Sequence, residues 1–299
     1  MGSTTVENIA WSSQLETGIA IIDRDHKVLV DLLNQVADVI GDSEERAILG
    51  SVLNSLSEYT HYHFSREEKL QEVAGYPGLE AHRRRHVVLA AQVDDIRSRY
   101  RDEPESVQGD EVRAFLRTWL VEHILKEDMN YRAICTAHPE AVAAAEAIRF
   151  GEEPLDSDGG AAVRKTASVN WSTLKVLVVE DNRNFQLIIS TILRSLGVRS
   201  ITAADSGAAG LGSLHGGGTF DLVLSDWRME EMDGLQFVRE ARAAGVQTPI
   251  IMMTGYSDDV VREQAREAGV NAFLEKPITA RGFLETAGEV LTAAAAPAV

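Results

Sequence analysis

The chain has little of several things, and each shortage excludes something. Its 299 residues contain one cysteine, Cys135, so an internal disulfide is excluded and a reducing compartment fits. No apolar run approaches the ~18 residues a membrane span needs, and no charged segment leading into an apolar one opens the chain. Basic residues are scarce: 29 Lys and Arg against 46 Asp and Glu give a net charge of −17. With a pI near 4.9, that balance argues against a phosphate-backbone partner. Internal repeats are missing too, and the closing AAAAPAV is a low-complexity tail with no evident chemistry. These absences point to a soluble cytoplasmic protein with neither nucleic acid nor membrane as partner. The length suggests two domains.

What is present is histidine in a pattern. The stretch HYHFSREEKLQEVAGYPGLEAHRRRH, from His61 to His86, sets His63 four residues before Glu67 and His82 four before His86. Four residues on a helix return nearly to the same face, so each pair can point into one site. Gly75, Tyr76, Pro77 and Gly78 interrupt the helical pattern between the pairs and fold the two segments back on each other. His26 lies near the start of an earlier helical segment, and His123 with Asp128 on a later one. A lone HxxxE or HxxxH is more often surface or capping chemistry, whereas this series recurs over four successive helices. His61 and His63 are about 200° apart on a helix, so only one faces the site, and His63 shares the Glu67 face. Glu68 reads as a solvated acid or one that supports a ligand.

Five imidazoles and two carboxylates are an iron-like donor set, since imidazole suits iron, copper and zinc while carboxylate adds hard oxygens. Two six-coordinate irons offer about twelve positions. The imidazoles, two bridging carboxylates and one bridging oxygen leave one open, where a small diatomic ligand would bind. One spacing resists simple geometry: His123 and Asp128 are five apart, about 140° off a common face, so side-chain reach or a π-bulge is required.

Residues 9–131 resemble a bacterial hemerythrin, through Trp11, Gly18, the IDRDH run ending in His26, HFSREE, GYP, HRRRH and WLVEHILKEDMNY. The resemblance implies an all-α, up-down-up-down four-helix bundle holding two oxo- or hydroxo-bridged iron ions. It assigns His82, His86 and His123 to one iron and His26 and His63 to the other, with Glu67 and Asp128 bridging. Dioxygen would bind the second iron. Trp119, four before His123, would pack the core and wall the oxygen pocket.

The expected helices run from about Arg24 to Ile40, from a capping box at Asp42 and Glu45 through His63, from Leu79 to Tyr100, and from Glu111 to Arg132. Val28, Leu29, Leu32, Leu33 and Val36 share a face of the first. The arm before Arg24 is expected to be irregular, with Trp11 as a plug. The expected organisation is a bundle over 1–135, a linker over 136–172, a second domain over 173–293 and a tail over 294–299. His138 to Phe150 could form a short Ala-rich helix within that linker.

From Leu174 onward β-rich and helical runs alternate: LKVLVV, SITAA, FDLVLS, PIIMM and AFL are separated by helical stretches, implying a parallel sheet covered on both faces. Glu180 and Asp181 follow the first strand, Asp226 the third, Thr254 the fourth and Lys276 the fifth, where open α/β sheets place their sites. Any one such acid is commonly a helix cap, but five groups at strand ends in this order are not. Clustered acids favour Mg²⁺, and with Lys276 it would offset the charge of a phosphoryl group passing to Asp226 while Thr254 hydrogen-bonds it.

Residues 174–291 resemble a response-regulator receiver domain of the chemotaxis type, through VVEDN, LSDWRMEEMDG, MMTG and LEKP. That implies a flavodoxin-like, doubly wound sheet of order 2-1-3-4-5. Asp226 would be the phosphoacceptor, Glu180 and Asp181 the Mg²⁺ acids with it, Thr254 and Lys276 the phosphoryl contacts, and Phe273 the aromatic switch. The resemblance also implies a cis Lys276–Pro277 bond. Glu230 departs from the family's usual proline after Met229, which should loosen the loop and change phosphorylation kinetics without abolishing them.

The expected protein is a two-component signalling protein, not an enzyme. It would couple a di-iron oxygen or redox site to an aspartate phosphorylated by a sensor histidine kinase or phosphotransfer protein. With no DNA-binding helix pair after the receiver, output would pass to another protein or act on the domain that precedes it. The alternatives are an oxygen carrier localised by its receiver, and a di-iron peroxidase or ferroxidase.

Overall fold

The computed structural model describes residues 8–38, 45–107, 109–150, 169–255 and 259–295. The chain divides into two compact units, Met1–Ala161 and Ala162–Val299.

The first unit is a four-helix bundle built on α1 (Ala20–Asp38), α2 (Glu45–Val73), α3 (Leu79–Asp102) and α4 (Gly109–His123). α4 continues through a π turn, Ile124–Asp128, into α5 (Met129–Cys135). α1 packs against α2 and α4, and α2 against α3. One stripe of α2 explains both bundle and site. Ile48, Leu49, Val52, Leu53, Leu56 and Tyr59 are buried along it, and the same face continues as His63, Glu67, Leu70 and Gln71. The apolar half supplies the packing, each Leu or Ile worth about 1.5–3 kcal/mol on burial, and the other half turns donors inward. α2 ends as expected at Gly75, which takes a left-handed φ of 68° while the Tyr76 amide donates to the Gln71 carbonyl at 2.9 Å.

Three details differ from the sequence reading. α1 starts at Ala20 rather than Arg24, because Ile21 and Ile22 pack with Leu70, Tyr131 and Cys135. Asp23 also caps the entering chain by accepting from the Thr17 and Gly18 amides at 2.6 and 3.0 Å. Trp11 is only half-buried, with its indole N–H on Glu16 and Lys27 over its ring; Ile9 and Leu15 fill the core instead. The short Ala-rich helix expected within the linker forms as α6 (Pro139–Glu146), but it packs on the bundle rather than lying in a linker, with Ala141 and Ala145 fully buried. The helix extends the first unit because alanines spaced four apart permit close approach to α2. The expected end of the first helix at Ile40, the Asp42 cap, the middle of the linker and the end of the tail lie outside the described residues.

The second unit alternates β1 (Lys175–Val179), α7 (Arg183–Ser195), β2 (Ser200–Ala204), α8 (Gly207–His215), β3 (Leu222–Asp226), α9 (Gly234–Ala243), β4 (Ile250–Thr254), α10 (Asp259–Ala268), β5 (Ala272–Glu275) and α11 (Ala280–Ala295). The strands form one parallel sheet of order β2-β1-β3-β4-β5. β3 and β4 are buried along their whole length, as continuous apolar runs in a doubly covered sheet should be. No described helix is long and apolar enough to cross a membrane.

Candidate functional site

In the bundle, five imidazoles and two carboxylates meet in one buried space. Glu67 lies at the centre: its Oε1 is 2.6 Å from His82 Nε2, and its Oε2 is 3.2 Å from His63 Nε2 and 3.5 Å from His86 Nε2. Asp128 spans the other side, with Oδ2 3.2 Å from His26 Nε2 and Oδ1 3.2 Å from His123 Nε2. Donor atoms of Glu67, His82, His86 and His123 form one compact group, and those of His26, His63 and Glu67 another, each within 4.8 Å. Glu67 belongs to both groups.

The five-residue spacing is solved by the backbone. Residues 124–128 form a π turn, and this wider turn brings Asp128 round to the face of His123. Phe64 stacks on His86 with centroids 3.6 Å apart, and Trp119 lies nearly parallel to His123 at 6.4 Å. A cleft of about 570 Å³ between α3 and α4 reaches Trp119 and His123 from the surface.

The donors fit a cation. His26 Nε2, His82 Nε2, Glu67 Oε2 and both Asp128 oxygens are buried without a hydrogen bond, which native proteins rarely tolerate. His86 and His123 bring their Nε2 atoms to 3.2 Å of each other. Burial pulls the His123 imidazole down to about 3, keeping it a neutral lone-pair donor. Burial and the Glu67 charge push the Asp128 carboxyl well above the carboxylate range. Glu67 is held well below it, since His86, His63 and His82 outweigh its own burial. Both carboxylates can ionise together only with positive charge between them.

In the second unit, Glu180, Asp181 and Asp226 offer oxygens within 4.8 Å of one another at the carboxyl ends of β1 and β3. Lys276 reaches in from beyond β5, its ammonium 2.8 Å from Asp226 Oδ1, 3.4 Å from Glu180 Oε2 and 3.8 Å above the Phe185 ring. Thr254 closes β4 beside this crevice, and the Arg228 amide donates to Asp226 Oδ2 at 3.1 Å. Gly234 is required here: a Cβ would collide with the Asp226 carbonyl oxygen. Phe273 on β5 is half-buried beneath the guanidinium groups of Arg262 and Arg266.

Known proteins divide along the same line. The hemerythrin HHE cation-binding domain profile matches residues 17–135, and the response-regulator receiver profile matches residues 176–287. A bacteriohemerythrin of Stenotrophomonas maltophilia is 36% identical over 130 residues, covering 44% of this chain and 83% of that protein. One from Pseudomonas aeruginosa is 36% identical over 124 residues, covering 42% and 79%. The chemotaxis protein CheY of Pseudomonas aeruginosa is 36% identical over 116 residues, covering 38% and 91%. The chain belongs to both families, as a hemerythrin fused to a receiver.

Every ligand expected in the hemerythrin domain lies in the buried cluster, and His61 points outward to Asp94 at 2.9 Å. Of the side chains that hold the ligands, Glu68 was read as a solvated or supporting acid and takes the supporting role, while Gln71, Asp25 and Arg66 gave no expectation. Gln71 donates to Glu67 Oε1 at 2.8 Å, and Glu68 Oε1 is 2.8 Å from His86 Nδ1. Gln71 holds the Glu67 carboxylate in place, while the Glu68 carboxylate fixes the His86 ring and raises its basicity. Asp25, fully buried, accepts from Tyr59 and Arg66 and faces His63. Burial lowers the His63 imidazole, but the carboxylates of Asp25 and Glu67 outweigh it and raise it to about 9. Tyr131 buries its hydroxyl against the cluster. Tyr59, Tyr62, His63 and Arg66 sit at helical i, i+3, i+4, i+7 spacing, the one sequence signal that could have flagged Arg66.

In the receiver domain the Lys276–Pro277 bond is cis. The Glu230 loop is tied rather than loosened. The Glu230 amide, which a proline lacks, donates to Asp181 Oδ2 at 2.7 Å, and Glu231 adopts a left-handed φ of 62°.

Proposed function

We propose that this is a two-component signalling protein in which a di-iron site in the hemerythrin domain biases phosphorylation of Asp226, or its output, in the receiver domain. The single observation that carries the reading is the sharing of Glu67 between two histidine groups, in a chain that also carries the Asp226–Lys276 crevice. His82, His86 and His123 would hold one iron, His26 and His63 the other, with Glu67 and Asp128 between them. Bound iron would supply a vacant coordination position for dioxygen or another small diatomic molecule, and a change of redox state. The chain's own residues do the rest: Gln71 and Glu68 fix the donors, Phe64 covers a face of His86, and Trp119 lines the cleft that leads to His123.

At the receiver, an Asp226 oxygen attacks the phosphorus of a phosphodonor, such as a kinase or phosphotransfer phosphohistidine, and the bond to the donor breaks as the acyl phosphate forms. The Lys276 ammonium, already on Asp226, offsets the transferred charge, and the Thr254 hydroxyl donates to a phosphoryl oxygen. Glu180 and Asp181, with Asp226, would hold Mg²⁺, the natural partner of clustered hard oxygens. Phe273 would follow Thr254 as the output switch.

The test is phosphotransfer to Asp226 in the full-length protein, with iron reduced, oxidised or exposed to dioxygen. Rates or partner affinities that differ among the three support coupling. Equal values in all three refute it.

A further inference from the structure

One buried network reaches beyond the metal ligands. Asp25 is 1% exposed. Its Oδ1 accepts from the Tyr59 hydroxyl and from one Arg66 amino group, both at 2.9 Å, and its Oδ2 accepts from the same Arg66 group at 3.1 Å. That Oδ2 also faces His63 Nδ1 across 3.6 Å, too long for a hydrogen bond. His63 Nδ1 is otherwise buried without a partner. The second Arg66 amino group donates at 3.1 Å to the carbonyl of Ile148, and the Tyr62 hydroxyl reaches the same oxygen at 3.4 Å. Phe150 stacks on Tyr59 at 6.1 Å and tilts against Tyr62 at 5.2 Å. Ile148 and Phe150 lie just beyond α6.

We propose that Asp25 is a positioning residue for His63, and that Arg66 relays charge on the far side of that imidazole to the Ile148–Phe150 segment. The relay rests on the di-iron reading above. The 3.6 Å gap leaves one short approach unmade. A ligand histidine normally donates its outer N–H to a carboxylate, and greater positive charge at Nε2 strengthens that donor. Asp25 divides two oxygens among His63, Arg66 and Tyr59, so its approach to His63 loosens its hold on Arg66. Arg66 keeps its charge, and its planar fork bridges Asp25 and Ile148 at once. A shift of less than 1 Å at Asp25 must therefore be absorbed at Arg66, because the packed core has no slack. The Ile148 carbonyl and the ring of Phe150 give way together, since both rest on residues that touch Asp25.

The experiment is hydrogen–deuterium exchange of the full-length, iron-loaded protein, reduced by dithionite or oxidised by ferricyanide. The readout is the Ile148 amide, which donates to Ala145 at 3.2 Å and exchanges when the segment opens. Wild type is expected to exchange about fivefold faster in the oxidised state, the worth of one net hydrogen bond. Arg66→Lys keeps the charge beside Asp25 but cannot span both partners, so iron content should hold while the state dependence disappears. Arg66→Met should behave alike, and if it does not fold the lysine variant decides. Equal exchange in the two wild-type states overturns the relay, as does a state dependence that survives Arg66→Lys. Either result leaves the proposed function standing if phosphorylation of Asp226 still follows iron state. Wild type that carries no iron overturns the proposed function and the relay together, and metal analysis shows this before exchange begins.

Discussion

Deletion of Lys126 shortens the π turn by one residue and makes His123 and Asp128 four apart. In an α-helix the present spacing would leave Asp128 about 140° from the His123 face, whereas four residues leave it only about 40° away. The extra residue is thus accommodated by the π turn, and its loss should return an α-helix with both ligands still inward. The energetic cost is small. Lys126 pairs with Glu122 at 2.9 Å, but both side chains are more than half exposed. Such a pair contributes about 0.2–1 kcal/mol. Deletion of Thr118 within α4 is the control. It turns His123 and Asp128 by about 100° relative to the preceding helix, and on a Cα radius of ~2.3 Å that displaces each backbone atom by about 3.5 Å. A site needs its ligands within ~0.5 Å of productive geometry, so the control should lose its metal. Iron per chain, measured with helical circular dichroism, separates the two. The Lys126 deletion should keep the full complement of iron. A folded but iron-free Lys126 deletion would refute the reasoning, because the π backbone itself would then be what places Asp128.

Three further outcomes are expected. Replacing Glu230 with proline removes the N–H that occupies Asp181, so Mg²⁺ should bind about tenfold tighter than to Glu230→Gln, which keeps the amide but not the charge; calorimetric titration measures the difference, and equal affinities would show that the amide does not compete. Cys135 is fully buried and its thiol is pushed up to about 12 by burial, so a disulfide reagent at pH 8 should leave native protein unmodified and label it once unfolded; at that pH only about one thiol in ten thousand is ionised. Stripping the metal should lower the melting transition of the helical unit and leave that of the receiver unmoved. If iron was present at a hundred times its dissociation constant, about 2.7 kcal/mol is lost. At about 2–4 °C per kcal/mol the transition falls by about 5–11 °C, and calorimetry that finds it unmoved would deny the site a stabilising ion.

The second unit could be read almost to the residue because strand and helix announce themselves locally. SITAA became Ser200–Ala204, and the acids lie at strand ends, where chain direction alone puts them. The bundle ligands could be read because HxxxE and HxxxH carry the helical repeat within them. Short-range regularity of this kind is written in the order of residues, since backbone geometry is the same wherever a helix or strand occurs. Other features depend on residues far apart in the chain. α6 joined the bundle because its alanines allow close approach to α2, and the Ala-rich sequence was equally suited to a linker. His123 and Asp128 could have met by reach or by a π turn, and packing of Tyr131 and Cys135 on Ile21 and Ile22 accompanies the second. Asp25 sits beside His26 in sequence, yet its partners come from α2, 34 and 41 residues away. Helical spacing put Tyr59 and Arg66 on the His63 side of α2, but no local pattern paired them with Asp25, because a buried charge is satisfied by whatever the fold brings to it. The sequence by itself determined which donors existed and which face each helix would turn; the tertiary structure decided which second partner each donor has, since only packing brings those groups within hydrogen-bond reach.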